Sequence, residues 1–253
     1  MNLFLKPFVI LYRLYFALVF FGVLLILYPV FWILLTNKKQ YKTVSRLKVY
    51  TAKIILFLQG VWHKKISVTS QLDDGPYVIC VNHASYLDIL TMYSAFNRHR
   101  FLFIGKKELL TWPIINIFFK NIDIAIDRNK PREAIKSLER AKEQLNNKWS
   151  IAIFPEGIIP LDAPKISRFK NGAFKMAIET QTPILPVTFI DNWRLFQADP
   201  IYTGKARPGI SRIIIHDPIP TIGLTQKDLL TLRDQTQQVI NDSLKKHHPK
   251  VVK

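Results

Sequence analysis

Residues 78–90 read VICVNHASYLDIL. An apolar, β-branched run stops at Asn82. His83 and Asp88 follow with four residues between them, and an apolar run resumes. This is the pattern of a strand that feeds a helix through a polar turn. Within one helix the five steps from His83 to Asp88 would turn the chain about 500°, leaving the side chains about 140° apart. The two meet if His83 lies in the turn and Asp88 in the first turns of the helix, with Ser85 as its N-cap. Asp88 can then accept a hydrogen bond from one ring nitrogen, and the other nitrogen is free to take a proton from a hydroxyl. That is the base and orienter of a catalytic triad without an enzymic nucleophile. The same pair, taken alone, also suits a turn histidine satisfied by a capping carboxylate.

Working outward, short apolar runs alternate with helical patterns. PYVICV (76–81), FLFIG (101–105), IDIAI (122–126), SIAIF (150–154), ILPVTFI (184–190) and RIIIHD (212–217) read as strands. PREAIKSLERAKEQL (131–145) opens on Pro131 and puts Ala134, Leu138, Ala141 and Leu145 on one stripe. Residues 171–180 and 227–244 also read as helices. The fold class that follows is α/β: a mixed, mostly parallel sheet flanked by helices. Beyond residue 200, YTGKARPGISRIIIHDPIP suggests a hairpin-like strand pair turning at Pro208–Gly209. The basic tail that follows the last helix is expected to be loose or to lie on lipid.

Ligands of such sheets bind beyond the carboxyl ends of the strands. Polar residues gather there: His83 and Asp88, then Lys106, Arg128, and Glu156 with Gly157. Arg168 and Lys170 stand beside a helix start. Cations near a helix N-terminus suit a phosphate. The single cysteine, Cys80, sits inside an apolar strand and reads as a packing thiol, so no cysteine-based zinc site is expected. His63, His99, His216, His247 and His248 suggest surface or packing roles, and no metal is expected. G-x-S-x-G, G-x-G-x-x-G and the P-loop pattern are absent, which counts against a serine hydrolase and a nucleotide-binding protein.

The 253 residues carry a net charge of +18, with a pI of about 10.0. Such a surface seeks anions: nucleic acid, anionic lipid or a phosphorylated substrate. The N-terminus selects the lipid. Residues 14–35 are uncharged, and as a helix they would rise about 33 Å against a hydrocarbon core about 30 Å thick. Pro29 is expected to kink that helix. The run is too long for a signal peptide and lacks a small-x-small cleavage site. Lys38, Lys39, Lys42, Arg46 and Lys48 follow it and only Lys6 and Arg13 precede it, which places the C-terminal side in the cytoplasm. AKIILFLQGVW (52–62) is too short to span. It reads as an interfacial helix or as a core helix of the following domain. The expected organisation is a membrane-anchoring helical hairpin over 1–62 and a catalytic domain over 63–253. Tyr28, Trp32, Tyr41 and Trp62 would stand at headgroup level.

The order NHASYLD, GKKEL, AIDR, FPEG, FKNGAF, ILPV resembles the lysophosphatidic acid acyltransferase family of glycerolipid enzymes, over about residues 62–190. The resemblance implies that His83 is the general base and Asp88 its partner. It implies that Lys106 and Arg128 help hold the acceptor's phosphate, and that Glu156 and Gly157 shape the transfer site. Pro186 would lie on a packing strand. The substrates implied are a lysophospholipid acceptor and an acyl donor, acyl-coenzyme A or acyl-carrier protein, with no further cofactor. Anionic membrane lipids are expected partners and nucleic acid is not. The chain departs from the family where Glu-Gly-Thr-Arg is usual: it reads Glu156-Gly157-Ile158-Ile159, without the arginine. Lys165, Arg168 or Lys170 would then supply the cation, or the acceptor is a different lysolipid. A basic adaptor on the membrane surface is the non-catalytic alternative.

Overall fold

The run VICV forms β2 (Val78–Val81), and every residue of it is buried. Its neighbours β5 (Ser150–Ile153) and β6 (Ile184–Phe189) are equally buried. Unbroken apolar runs of this kind belong to parallel strands covered on both faces. The structure is a computed structural model that describes residues 6–67, 72–97, 99–198 and 204–252. Its sheet has seven strands. With β1 (Val61–Ser67), β3 (Phe101–Lys106), β4 (Ile124–Ile126) and β7 (Gly209–Ile215), the order is β1-β7-β6-β2-β5-β3-β4. All neighbours are parallel except β6 and β7. Strands β6, β2, β5, β3 and β4 therefore end along one edge, and the turn that begins at Asn82 lies on it.

Side-chain alternation divides β2 between two cores. Val78 and Cys80 join the cluster built with Phe174 of α6 (Gly172–Glu179), Leu145 of α5 (Pro131–Asn146) and Ile240 of α8 (Leu229–His247). Ile79 and Val81 join Met92 of α3 (Asp88–Ala95), Ile55 of α2 (Tyr41–Leu58), and Phe16 and Leu24 of α1 (Lys6–Leu35). On the predicted stripe of α5, Ala141 and Leu145 are buried and Leu138 packs against the core. Two short helices complete the chain: α4 (Asn116–Asn121) and α7 (Asn192–Leu195).

The two N-terminal helices touch, as a hairpin requires. Helix α1 is long and apolar enough to cross a membrane, with a mean hydropathy of 2.7 over an 18-residue window. It continues through Pro29. One side packs on the domain. There the Arg13 guanidinium donates to the carbonyls of Gln197 and Lys205 at 2.9 and 3.3 Å, and the Tyr12 hydroxyl donates to Gln59 O at 2.9 Å. The other side exposes Phe8, Leu11, Leu18, Leu25, Ile26 and Ile33.

Four sequence readings change. The basic tail is not loose: α8 runs to His247, and His248 and Val252 are buried. The stretch 52–62 is not one interfacial helix. Helix α2 ends at Leu58, Gly60 turns the chain at φ +64°, and Trp62 belongs to β1. Val44, Lys48, Ala52 and Ile55 of α2 are buried, so one face of it is a core face. Among the described residues beyond 200, no hairpin turns at Pro208–Gly209. Strand β7 instead pairs in parallel with β1 and antiparallel with β6, and Phe196 and Ala206 form an isolated bridge. Residues 199–203 fall outside the described residues. Ser85 is not the N-cap of α3, which is Leu87; its hydroxyl accepts the Leu87 N–H at 3.0 Å from two positions further out.

Candidate active site

β2 delivers His83 to the sheet edge, and α3 begins at Asp88. His83 Nδ1 stands 2.8 Å from Asp88 Oδ2. The same oxygen accepts the backbone N–H groups of Ala84 at 2.7 Å and Ser85 at 2.9 Å. Oδ1 accepts from Asn192 Nδ2 at 2.8 Å. Asp88 is fully buried, so these four donors replace its water. A carboxylate offers only acceptors, which fixes the His83 proton on Nδ1 and leaves the Nε2 lone pair open. Phe154, just past β5, stacks on the imidazole with ring centroids 4.0 Å apart and planes 13° apart. The ring is thus held at its edge by Asp88 and on one face by Phe154. Asn82 secures the turn from below: its amide accepts Phe189 N–H at 2.8 Å and donates to Phe189 O at 3.2 Å, tying β2 to β6.

Glu156 is buried, and its two oxygens accept the backbone N–H groups of His83 and Ser167, each at 2.7 Å. Burial pushes its carboxyl up to about 8. The two N–H donors oppose the rise, and nearby Asp88 and Asp162 add to it. Gly157 has φ +81°, and a Cβ there would lie 2.6 Å from Arg128 Nη1. Glycine at this position lets the Arg128 guanidinium reach over and donate to the Gly157 carbonyl. Lys170 Nζ lies 3.2 Å from the same point.

A cavity of about 970 Å³ opens beside these groups, between the sheet edge and the α1–α2 pair. His83, Lys106, Arg128 and Gly157 line one end of it. Phe16, Phe20, Leu24 and Phe31 of α1 form a wall, so the apolar N-terminal helix is part of the site. Glu156 stands behind the lining as a brace. Arg168 is exposed and does not line the cavity; it adds to the Arg233 hydrogen bond that lowers the Asp234 carboxyl. Ile158 and Ile159 line the cavity.

Sequence reasoning missed Asn192, Phe154 and a buried ion pair in the cavity wall, Lys48 Nζ to Asp123 Oδ2 at 2.5 Å. The rule that drew attention to the other strand ends points to Asn192 as well, because β6 ends at Phe189 on the same edge.

Fold and site together define an α/β enzyme domain with an acid-steadied histidine at the mouth of an apolar cavity, docked on a lipophilic helix. The chain matches the Acyltransferase family over residues 61–190, half of its length, and belongs to that family. It is 31% identical over 162 residues to the 1-acyl-sn-glycerol-3-phosphate acyltransferase of Helicobacter pylori, covering 64% of this chain and 67% of that one. It is 30% identical over 174 residues to mouse 1-acyl-sn-glycerol-3-phosphate acyltransferase alpha, covering 64% of this chain and 56% of that one. It spans 49% to 60% of the length of three further curated relatives at 32% to 36% identity. The crystal structure of the lysophosphatidic acid acyltransferase PlsC from Thermotoga maritima shares the fold, with a TM-score of 0.72, 21% identity and 97% coverage of each chain.

Proposed function

We propose that the protein moves a fatty acyl chain from acyl-coenzyme A or acyl-carrier protein to the free hydroxyl of lysophosphatidic acid, forming phosphatidic acid. The observation that carries this reading is the 2.8 Å contact of His83 Nδ1 with Asp88 at the mouth of an apolar cavity walled by α1. His83 Nε2 removes the proton from the acceptor hydroxyl as its oxygen attacks the thioester carbonyl. The tetrahedral oxyanion collapses, the carbon–sulfur bond breaks, and the thiolate leaves with the proton from His83.

The backbone N–H groups of His83, Ala84, Ser85 and Gly157 are engaged by Glu156, Asp88 and Phe154 O. Among the described residues, the N–H groups of Tyr86, Ile158 and Ile159, which line the cavity, have no such partner, and one of them would receive the oxyanion. Lys106, Arg128 and Lys170 supply positive charge for the acceptor's phosphate, and Arg168 adds to the basic approach. The catalytic domain would face the cytoplasm, with the basic surface on anionic lipid.

A second reading, transfer to a different lysolipid, is favoured by Ile159, which offers carbon where the resemblance to the family expects a guanidinium. Purified protein in lipid, given labelled acyl donors and a panel of lysolipids, tests both. Phosphatidic acid is the expected product. Another diacyl lipid formed in preference selects the second reading, and free fatty acid alone overturns transfer.

A further inference from the structure

Asp88 is the acidic partner of the His83 ring, and its second oxygen is held by a side chain to which no role has yet been given. Asn192 opens α7, just past β6, and is fully buried. Its Nδ2 donates to Asp88 Oδ1 at 2.8 Å and to Thr91 Oγ1 at 2.9 Å. Ser211 Oγ, on β7, donates to Asn192 Oδ1 at 2.5 Å.

The neighbours fix which way the amide points. Thr91 Oγ1 lies 3.0 Å from Leu87 O and 3.1 Å from Asp88 O. Both are pure acceptors and take its one hydrogen, so Thr91 can only accept from Asn192. A reversed amide would set its oxygen against that acceptor and against a carboxylate. Ser211 completes the lock by donating to the oxygen. The result is a directed chain, Ser211 to Asn192 to Asp88, ending on His83. It joins β7 and α7 to the turn between β2 and α3.

We propose that Asn192 is a positioning residue for the transfer reaction: its locked amide holds the Asp88 carboxylate with Oδ2 on His83 Nδ1, and so keeps His83 Nε2 free as the base. The consequence for rate rests on the functional reading above; the consequence for the imidazole does not. Other charged groups face His83. Glu156 bonds its backbone N–H, and Lys106, Glu108, Arg128 and Arg13 line the same cavity, as does the Lys48–Asp123 pair. Asp191, next to Asn192, is paired with Arg212 at 2.6 Å. Of all these, only Asp88 is bonded to the Asn192 amide.

Asn192→Leu removes both N–H bonds at similar volume. Asp88 and His83 bind a proton as a unit. Losing the donors that stabilise its negative charge raises the proton affinity of that unit. The His83 midpoint, read from imidazole NMR of the intact protein in lipid nanodiscs, moves up by about half a pH unit or more. The acid limb of kcat/KM moves up with it. kcat falls about 10- to 100-fold, as for other residues that orient a reacting side chain, while KM for both substrates stays within about threefold. Ser211→Ala shifts the midpoint the same way by less, and serves if the leucine variant does not fold. In an Asp88→Asn background, Asn192→Leu moves the midpoint no further.

A folded Asn192→Leu protein with an unmoved His83 midpoint and unchanged kcat overturns the proposal. So does an unmoved midpoint in Ser211→Ala where the leucine variant fails to fold, or an equal shift in the Asp88→Asn background. A wild-type protein that transfers no acyl chain overturns the functional reading instead, and the NMR arm still decides the role of Asn192.

Discussion

At the scale of single residues, the chemistry divides between groups that react and groups that hold them. His83→Ala removes the base and is expected to lower kcat about 10²- to 10⁴-fold. Ser85 is close in sequence but has other duties: its buried hydroxyl donates to Phe196 O and accepts from Leu87 N–H. Ser85→Ala therefore costs stability, about 1–3 kcal/mol for a stranded carbonyl, and keeps activity within several-fold of wild type. Acyl transfer and thermal melting on both variants check this, and a Ser85→Ala loss as deep as that of His83→Ala would point to a covalent mechanism. Glu156 yields a prediction with a sign. Between its ordinary value of 4.5 and about 8, the folded protein holds a proton that the unfolded chain has released. Its stabilising contribution is complete below the lower value and is lost as pH rises through the upper one, a swing on the order of 4–5 kcal/mol. Gln at this position cannot titrate, and it forfeits one of the two N–H acceptors. Glu156→Gln should be the less stable protein near pH 5, with the gap narrowing or reversing by pH 8 in paired melting curves. A gap independent of pH would show that Glu156 is ionised throughout, as its two N–H donors favour.

Among the elements, α2 shows what the sequence concealed. Its lysines suggested a surface helix between headgroups, yet Lys48 points inward to Asp123, which precedes β4 and also accepts the Phe103 N–H at 3.1 Å. Lys48 also lies over the rings of Phe118 and Tyr93. Burial pushes its amine down, and Asp123 works against that. Charge runs are read from sequence as solvated faces, and a pairing across 75 residues leaves no local signal. Likewise β1 hid in VWHKKIS because its lysines break the apolar alternation that marks a strand, and β7 supplies the partner only 148 residues later. By contrast, β2, β5 and β6 were legible because buried parallel strands are apolar throughout, and His83 and Asp88 were legible because their contact is local. Asn192 could be placed at a strand end, but its role was not legible, since its partners lie on α3 and β7. The ion pair is testable as a link between elements. Asp123→Asn leaves an amine buried without its counter-charge and should cost about 3–5 kcal/mol, whereas Lys48→Met with Asp123→Leu should cost less, about 1–3 kcal/mol, for the Phe103 N–H left without its acceptor. Chemical denaturation of the three proteins decides it. Equal losses would mean that packing of α2, rather than charge pairing, sets the cost.

For the molecule as a whole, two properties bear on how it meets a bilayer. One is the apolar outer side of α1, whose inner side walls the active-site cavity. The other is the net charge of +18. They act over different ranges. Burial of the exposed phenylalanine, leucine and isoleucine side chains of α1 is insensitive to salt at about 25 cal/mol per Å². Attraction of surface lysines to anionic headgroups contributes about 1 kcal/mol per residue near the surface and decays within a Debye length, about 8 Å at physiological ionic strength. The intact protein should therefore float with both neutral and anionic vesicles, because α1 suffices to hold it. Its rate of transfer from detergent to vesicles should rise with anionic lipid content, and added salt at 0.5 M should abolish that advantage without releasing protein already bound. Wash-off by salt from neutral vesicles would mean that charge rather than α1 holds the chain. An on-rate blind to lipid charge would mean that the basic surface serves the phosphorylated substrates instead.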